Sequence, residues 1–421
     1  MNETCNTAYF LWLSELFYAG SNLPKRLYLT FDGDLKRIYE TPGEYFSEVG
    51  CTEEECERLS NKDFSAANRI LDYCAENCVT LLTYDSELYP ERLFTIDNPP
   101  PVLYAKGQPH RLREGAAVTA VGSRACTEKG FRDAYTLSYK LACAGVSIVT
   151  GLAEGIDTAC TLAALDAGGC AVGILGSGIN VLYPFENTKL FDRMLRSGIV
   201  LTEFSPFTQP LARNFPVRNR VLAALCDVCL VGEARGGSGA LITAKDAMMQ
   251  GKKVYAVPGG IYEPHCEGTN SLLRSGALPV TKAEDILGEL SYLYPESVKT
   301  KERAVRHIPD SPPRTEKAEK AERRRKNRKK TEENSEAALS SALLQPTEEK
   351  APKREIDPHV WNGRADEEKR ILELLITEEK TADLLAKECG MDAGDVLTYL
   401  TLLEIDGLVE SLPGGTYRLQ A

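Results

Sequence analysis

The fold is decided by AVTAVGSRACTEKGFRDAYTLSYKLACAGVSIVT, residues 117–150. Ala117–Val121 reads as a strand, Thr127 as the cap of a helix that stops at Gly145, and Val146–Thr150 as a second strand. Strand, helix and strand in roughly thirty residues form the unit of a parallel sheet, since parallel neighbours need a crossover to bring the chain back to its starting edge. The same alternation continues outward. Ala171–Leu175, Ile199–Glu203, Val228–Gly232 and Val254–Val257 read as further strands. Helices are expected from a cap at Asp157 to Gly168–Gly169, around Lys189–Arg196, near Arg218–Leu225 and over Leu241–Gln250. The expected fold is α/β, a Rossmann-like doubly wound parallel sheet whose ligand sits outside the carboxyl ends of the strands.

On either side the pattern changes. Residues 1–113 read as short helices, the first around Phe10, Leu11, Leu13, Leu16 and Phe17 and others through Glu44, Glu53–Leu59 and Phe64–Cys78. A proline-punctuated connector follows and ends in a strand at Val102–Ala105. The sheet domain is expected over 114–291. Residues 292–363 lose hydrophobic periodicity and carry the basic run RRRKNRKK, Arg323–Lys330, so they read as a charged, disordered linker. Residues 364–421 read as a winged helix: a helix over Glu367–Leu375, a helix-turn-helix turning at Gly390 and a hairpin turning at Pro413–Gly415. Its second helix offers Asp392, Asp395, Glu404 and Asp406 and no Lys or Arg, which favours a protein partner over DNA reading.

Composition narrows the function. The chain has 421 residues, 43% hydrophobic and 26% charged, as in a soluble protein of two or three domains. No stretch approaches the roughly 18 apolar residues of a membrane span, and Met1–Gly20 carries Glu3 and Glu15 without a basic start, so a cytoplasmic protein without a membrane partner is expected. Thirteen cysteines are an odd number, which excludes a complete disulfide framework within one chain, and a reducing compartment follows. Cys226 and Cys229 form a C-x-x-C inside a strand, where positions three apart face opposite sides, so they read as core residues. Cys74 and Cys78 could share a helix face, but no second ligand pair accompanies them, and no metal is expected. The net charge of -11 argues against nucleic-acid binding by the whole surface while allowing one local basic groove.

The motifs at the strand ends point to phosphate. Gly122-Ser123-Arg124 follows the first strand, where glycine lets backbone amides approach an anion and Arg124 adds charge. The stretch Asn214–Lys245 offers Arg218, Asn219 and Arg220, with Arg213 just before it, and then a turn through Gly236, Ser238 and Gly239 into a helix carrying Thr243 and Lys245. Tyr183, Phe185 and Phe215 are candidate stacking surfaces beside them, and Glu203, Asp157 and Glu154 lie where they could orient the arginines. A dinucleotide site is rejected, because GILGSGINV places Val181 where the third glycine belongs. The order G-K-[ST] of a Walker A loop is absent from GGSGALITAK. The rival is a Rossmann-like enzyme acting on a nucleoside phosphate, of the lysine-decarboxylase-like type. Pro258–Gly260 matches its P-G-G, but GGIYEPHCEG lacks the G-T-x-x-E that should follow. The four histidines are scattered, and no nucleophile–base pair is visible, so no catalytic residue and no cofactor is assigned.

Taken in order, VGSR, GLAEGID, LGSGINVLYPFENTKL, FPVRNRVLAAL, SGALITAKDAMMQGKKVYAVPG and EGTNSLLRSGA resemble the DNA-processing protein A family (DprA, or Smf) over most of Tyr84–Ala277. The resemblance implies a non-catalytic single-stranded-DNA-binding protein that helps load RecA recombinase during natural transformation. It also implies a dimerising Rossmann-like core, an N-terminal module similar to a sterile-alpha-motif domain and, in some members, a winged helix. The family's phosphate pocket matches Gly122, Ser123 and Arg124. Its basic helix matches Arg218, Asn219 and Arg220, and its Gly-rich turn and helix match Gly236, Ser238, Gly239, Thr243 and Lys245. Thr150 stands where the family commonly has Ser, and Cys160 where it usually has His, so a proton-transfer role at position 160 is not expected.

Overall fold

The computed structural model describes residues 3–112, 115–298 and, within 366–419, all but 378, 392–395, 397–398, 401–402, 405–407 and 413–415. These fall into two compact units, the second containing 366–419. The basic run 323–330, Asp392, Asp395, Asp406 and the expected turn 413–415 lie outside the described residues.

The first unit is built on a nine-stranded sheet. Its strands are β1 (Thr80–Thr83), β2 (Val102–Gly107), β3 (Ala117–Val121), β4 (Ser147–Thr150), β5 (Ala171–Ile174), β6 (Ile199–Thr202), β7 (Val228–Val231), β8 (Lys253–Ala256) and β9 (Leu278–Pro279). Their spatial order is β1-β2-β6-β5-β4-β3-β7-β8-β9. From β6 to β9 all neighbours are parallel, whereas β2 runs antiparallel to β6 and β1 antiparallel to β2. The expected parallel strands appear, trimmed by a residue or two. The sheet is wider than the alternation predicts, because the N-terminal connector supplies two strands and a late segment supplies β9.

The N-terminal module consists of α1 (Glu3–Leu16), α2 (Leu23–Thr30), α3 (Leu35–Glu40), a 3-10 turn at Gly43–Val49, α4 (Glu53–Ser60) and α5 (Ser65–Glu76). Phe10, Leu11, Trp12 and Leu13 are consecutive and all buried, so this turn of α1 is enclosed around its circumference, while Glu15 in the next turn is exposed. Thr52 and Glu55 form a reciprocal capping box that starts α4. Cys78 lies beyond the end of α5, exposed and at φ 53°, while Cys74 is buried, so the two do not share a helix face.

Helices α6 (Glu91–Phe94), α7 (Glu128–Cys143), α8 (Ile156–Asp166), α9 (Thr188–Ser197), α10 (Asn214–Ala224), α11 (Ala240–Met249), α12 (Glu267–Arg274) and α13 (Glu284–Leu293) cover the sheet. Alternation along each strand sorts them into two layers. Val118, Ala120, Ile148, Val200 and Leu230 face one core with α7, α8, α9 and α13 and join that of the N-terminal module. Ala117, Val121, Val149, Ile174, Leu201 and Val231 face the other, with α6, α10, α11 and α12. Cys226 precedes β7 instead of lying within it, so strand alternation does not separate it from Cys229, and both enter the second core. Beyond residue 291 the chain stays attached: Tyr294 donates to Asp227 (2.9 Å) and Val298 is buried.

Among the described residues the second unit has α14 (Asp366–Thr377), β10 (Lys380–Thr381), α15 (Ala382–Cys389), β11 (Val409–Leu412) and β12 (Thr416–Leu419), with the strands in the order β10-β12-β11. Ile371, Leu372, Leu385, Leu400, Leu403 and Val409 form its core. Gly390, at φ 68°, closes α15 in the left-handed conformation, as the turn between the paired helices requires. No helix among the described residues is long and apolar enough to cross a membrane.

Candidate nucleic-acid interface

The carboxyl edge of the parallel strands collects the motifs. The chain builds β3 to β6 in one direction and then crosses back through α10 to place β7 on the other side of β3. The loops after β3 and β7 stay joined to each other, and the crevice lies over the ends of β4 and β5, between Arg124 and α10. Gly122 and Ser123 line the β3 side. A Cβ at Gly122 would lie 2.5 Å from Ile156 Cγ1 and 2.8 Å from the Glu233 carbonyl, so this glycine serves close packing of the turn on α8 and the β7 loop. The Ser123 amide donates to that carbonyl (2.6 Å), and Ser123 is buried. Arg124 is exposed above them.

Phe215, in the first turn of α10, is the hub of the crevice. The Arg124 and Arg218 guanidinium groups lie 5.4 and 5.9 Å from its ring centre, and the Tyr183 ring lies 5.5 Å away. Phe215 is seated over the end of β5, where a Cβ at Gly176 would stand 2.9 Å from its ring. Tyr183 is 37% exposed, so an aromatic face beside Phe215 and the Arg124 cation are presented together to solvent, and Phe185, two residues on from Tyr183, is 79% exposed.

Arg218 lies beneath this surface. It is 5% exposed, and its Nη1 donates to the Gly151 carbonyl (3.1 Å) and to the Ile174 carbonyl, at the ends of β4 and β5. Asp157 is its counter-charge. The Asp157 carboxylate accepts from the Gly151 amide (2.9 Å) and the Ala153 amide (3.4 Å), so it caps the β4 loop and not α8, whose N-cap is Gly155. This corrects the expected helix-capping role: Asp157 already lies in the first turn, with its side chain turned back to the loop. Burial pushes the Asp157 carboxyl up, opposed by Arg218 and the two amides. Burial also pulls the Arg218 guanidinium down to about 10, which leaves it charged at neutral pH. Asn219, buried beside it, accepts from Arg218 Nε (3.3 Å).

Arg220 points elsewhere. Its guanidinium makes a two-pronged pair with Glu203 (2.7 and 2.6 Å) at the end of β6, with the two side chains 11% and 4% exposed. The basic helix therefore separates into an internal tie at Arg218, an ion pair at Arg220 and an exposed cation at Arg213. Glu203 does orient an arginine, as its position suggests.

The Gly-rich turn is only partly open. A Cβ at Gly236 would stand 2.8 Å from the Glu267 carboxylate, Gly237 needs its glycine for a φ of 78°, and Gly239 faces open space. The Ser238 hydroxyl accepts from the Ala240 amide (3.4 Å) at the start of α11. Thr243 is 1% exposed and packs inward, whereas Lys245 is exposed. Two further residues have a place here that sequence reasoning missed. Arg235, exposed ahead of the glycines, meets the His265 ring (2.9 Å), and Asn187 ties the β5 loop to the Leu152 carbonyl (2.9 Å). A basic residue abutting GGSG was the available signal for Arg235, and for Asn187 it was its place inside the block LGSGINVLYPFENTKL. Cys160 is buried with its thiol toward the Ala134 carbonyl (3.9 Å), away from the crevice. Among the described residues, no group of three or more His, Cys, Asp or Glu side chains is placed to hold a metal ion.

Comparison with known proteins converges on one family. The family model for DNA recombination-mediator protein A matches residues 80–291, and that for the DprA winged helix domain matches residues 349–415. The DNA processing protein DprA of Bacillus subtilis is 37% identical over 222 residues, 53% of this chain and 75% of that protein. Protein Smf of Escherichia coli is 31% identical over 341 residues, 81% of this chain and 77% of that protein. Among solved structures, DNA processing protein A from Streptococcus pneumoniae aligns with a TM-score of 0.60 at 33% identity, covering 69% of this chain and 99% of that one. The motif blocks, the sheet order and these matches agree: the chain belongs to the DprA/Smf family of DNA-processing, recombination-mediator proteins.

Proposed function

We propose that this protein binds single-stranded DNA along the carboxyl edge of its sheet and delivers it to RecA recombinase during DNA uptake, acting without catalysis and as a homodimer. The observation that carries the binding step is the exposed Arg124 guanidinium set on the Phe215 ring with Tyr183 beside it. A cation next to open aromatic faces suits a chain of alternating phosphates and unpaired bases, and does not suit a duplex whose bases are already stacked. Phosphates are met by the exposed cations Arg124, Arg213 and Lys245 and by the open end of the Gly-rich turn at Ser238 and Gly239, while Gly122 and Ser123 pack the turn that carries Arg124 and Gly236 packs against Glu267. Arg218, Asn219, Arg220 and Thr243 act from below, holding that surface in place. The recombinase step is supported by membership of a recombination-mediator family.

The test is anisotropy of labelled oligo-dT and a matched duplex over a range of salt. About four phosphate contacts give a slope of log K against log salt of about -3, at roughly -0.7 per contact. Arg124→Ala should make the slope shallower by about 0.7 and leave the melting temperature unchanged. Equal binding of duplex and single strand, or hydrolysis of a nucleotide in place of strand binding, would overturn the proposal. RecA filament formation on strands coated by single-strand-binding protein, with and without this chain, tests the delivery step; sedimentation velocity tests the dimer.

A further inference from the structure

A second cavity opens at the β6 end of the same sheet edge, where the N-terminal module meets the core. It has a volume of about 200 Å³ and lies between the end of α1, the Tyr18–Ser21 turn and the loop after β6. That is below the roughly 300–1,000 Å³ of pockets for drug-sized ligands, so the cavity suits one flat heterocycle and not a whole dinucleotide. Phe17, Phe204 and Pro101 give it apolar walls, and Ser21, Thr208 and Glu203 give it hydrogen-bonding groups. Flat apolar surface with a few fixed polar atoms is how an unstacked base is held.

The polar end of the cavity is preorganised. Arg220 fixes the Glu203 carboxylate through both oxygens, using one lone pair on each and leaving others free to accept. Helix α10 links this cavity to the crevice: Phe215 and Arg218 face the crevice, while Val217 and Arg220 back the α1–α2 turn, where a Cβ at Gly20 would lie 3.1 Å from Val217. A carboxylate accepts and does not donate, so it selects a base edge rich in N–H groups. Guanine alone among the DNA bases presents an imino N–H and an amino group side by side.

From this geometry we infer that the cavity takes one guanine, turned out of the strand held in the crevice, with its amino edge on Glu203. The inference rests on single-strand binding at the crevice and adds base selection to it.

The experiment compares the full chain's affinity for oligo-dT, for the same strand with guanines spaced four thymines apart, and for that strand with inosine, which lacks the amino group, in place of guanine. The expected result is about tenfold tighter binding of the guanine strand, with most of the gain lost on inosine. Two cavity-filling variants from opposite walls, Ser14→Phe and Thr208→Phe, should each abolish the preference and leave oligo-dT affinity and the melting temperature unchanged. If one fails to fold, the other still decides. Equal affinity for thymine and guanine strands, full retention on inosine, or a preference that survives a folded filled variant would overturn the guanine site while leaving crevice binding intact. Loss of binding to every strand would overturn both.

Discussion

Arg218 and Arg124 are both arginines at strand ends, and their environments give them opposite roles. Removing Arg218 strands the buried Asp157 carboxylate and frees two carbonyls at the ends of β4 and β5. Arg218→Ala should therefore cost about 3–5 kcal/mol in urea unfolding, the usual result of breaking a buried pair from one side. Without the guanidinium the Asp157 carboxyl rises further above its unfolded value, so the folded variant holds a proton more readily than the unfolded chain. Its stability deficit should then shrink as pH falls from 7 to 5 and grow as pH rises, by linkage; a deficit independent of pH would sink this account. Lost DNA binding in that variant would report unfolding as much as lost contact, which makes Arg124→Ala the cleaner probe. The sequence shows that both residues are cationic and lie near a strand end. It does not show that Asp157 turns back from α8 to meet Arg218, because that depends on a loop conformation and not on residue spacing.

At the scale of elements, α10 is the part on which the edge depends. It crosses from β6 to β7 and carries Phe215 toward one cavity and Arg220 toward another. Gly176 sets how deeply Phe215 sits. In Gly176→Ala the new Cβ would stand 2.9 Å from the ring, so the ring must swing outward and take the Arg124 contact with it. We expect binding to oligo-dT to weaken roughly tenfold, within the range for one lost stacking contact, with melting lowered by only a few degrees. An unchanged affinity would show that Phe215 does not bear on the strand. The parallel strands and their helices were legible because each is a short apolar run bounded by glycine or a capping residue. β1 and β9 were not: Thr80–Thr83 is four residues at the head of a proline-punctuated connector, and Leu278–Pro279 is two residues of which one is a proline. Both add to edges that periodicity within the segment cannot reveal. Arg92 was equally hidden, although it binds the Leu225 and Gly115 carbonyls and Asp227 (3.1, 2.7 and 3.2 Å) and so pins α6 beneath β3 and β7.

For the molecule as a whole, several thiols lie in or against the core. Burial pushes Cys126 and Cys160 up to about 12. At pH 8 roughly one such thiol in ten thousand is ionised. Alkylation followed by mass spectrometry should thus label exposed Cys78 first among the described cysteines, and buried Cys160 only once the chain is unfolded. Early labelling of Cys160 would mean that α7 and α8 separate in the native state. The net charge of -11 argues against binding by the whole surface and leaves room for one local basic groove. What the sequence could not show is that two of its arginines stabilise the groove from inside.

The antiparallel join of β2 to β6 also orders events in time. Tyr104 pairs with Thr202, and Lys106 with Val200, so the strand that ties the N-terminal module to the sheet has no partner on its sheet side until almost a hundred more residues have been added. At about 5–20 residues per second, a ribosome takes some 5–20 seconds to supply them. During that interval β1 and β2 form at most a two-stranded ribbon, with Leu103 and Ala105 facing a core that does not yet exist. The first part of the protein to be synthesised is thus joined to the sheet only after the parallel strands β3 to β6 have been made.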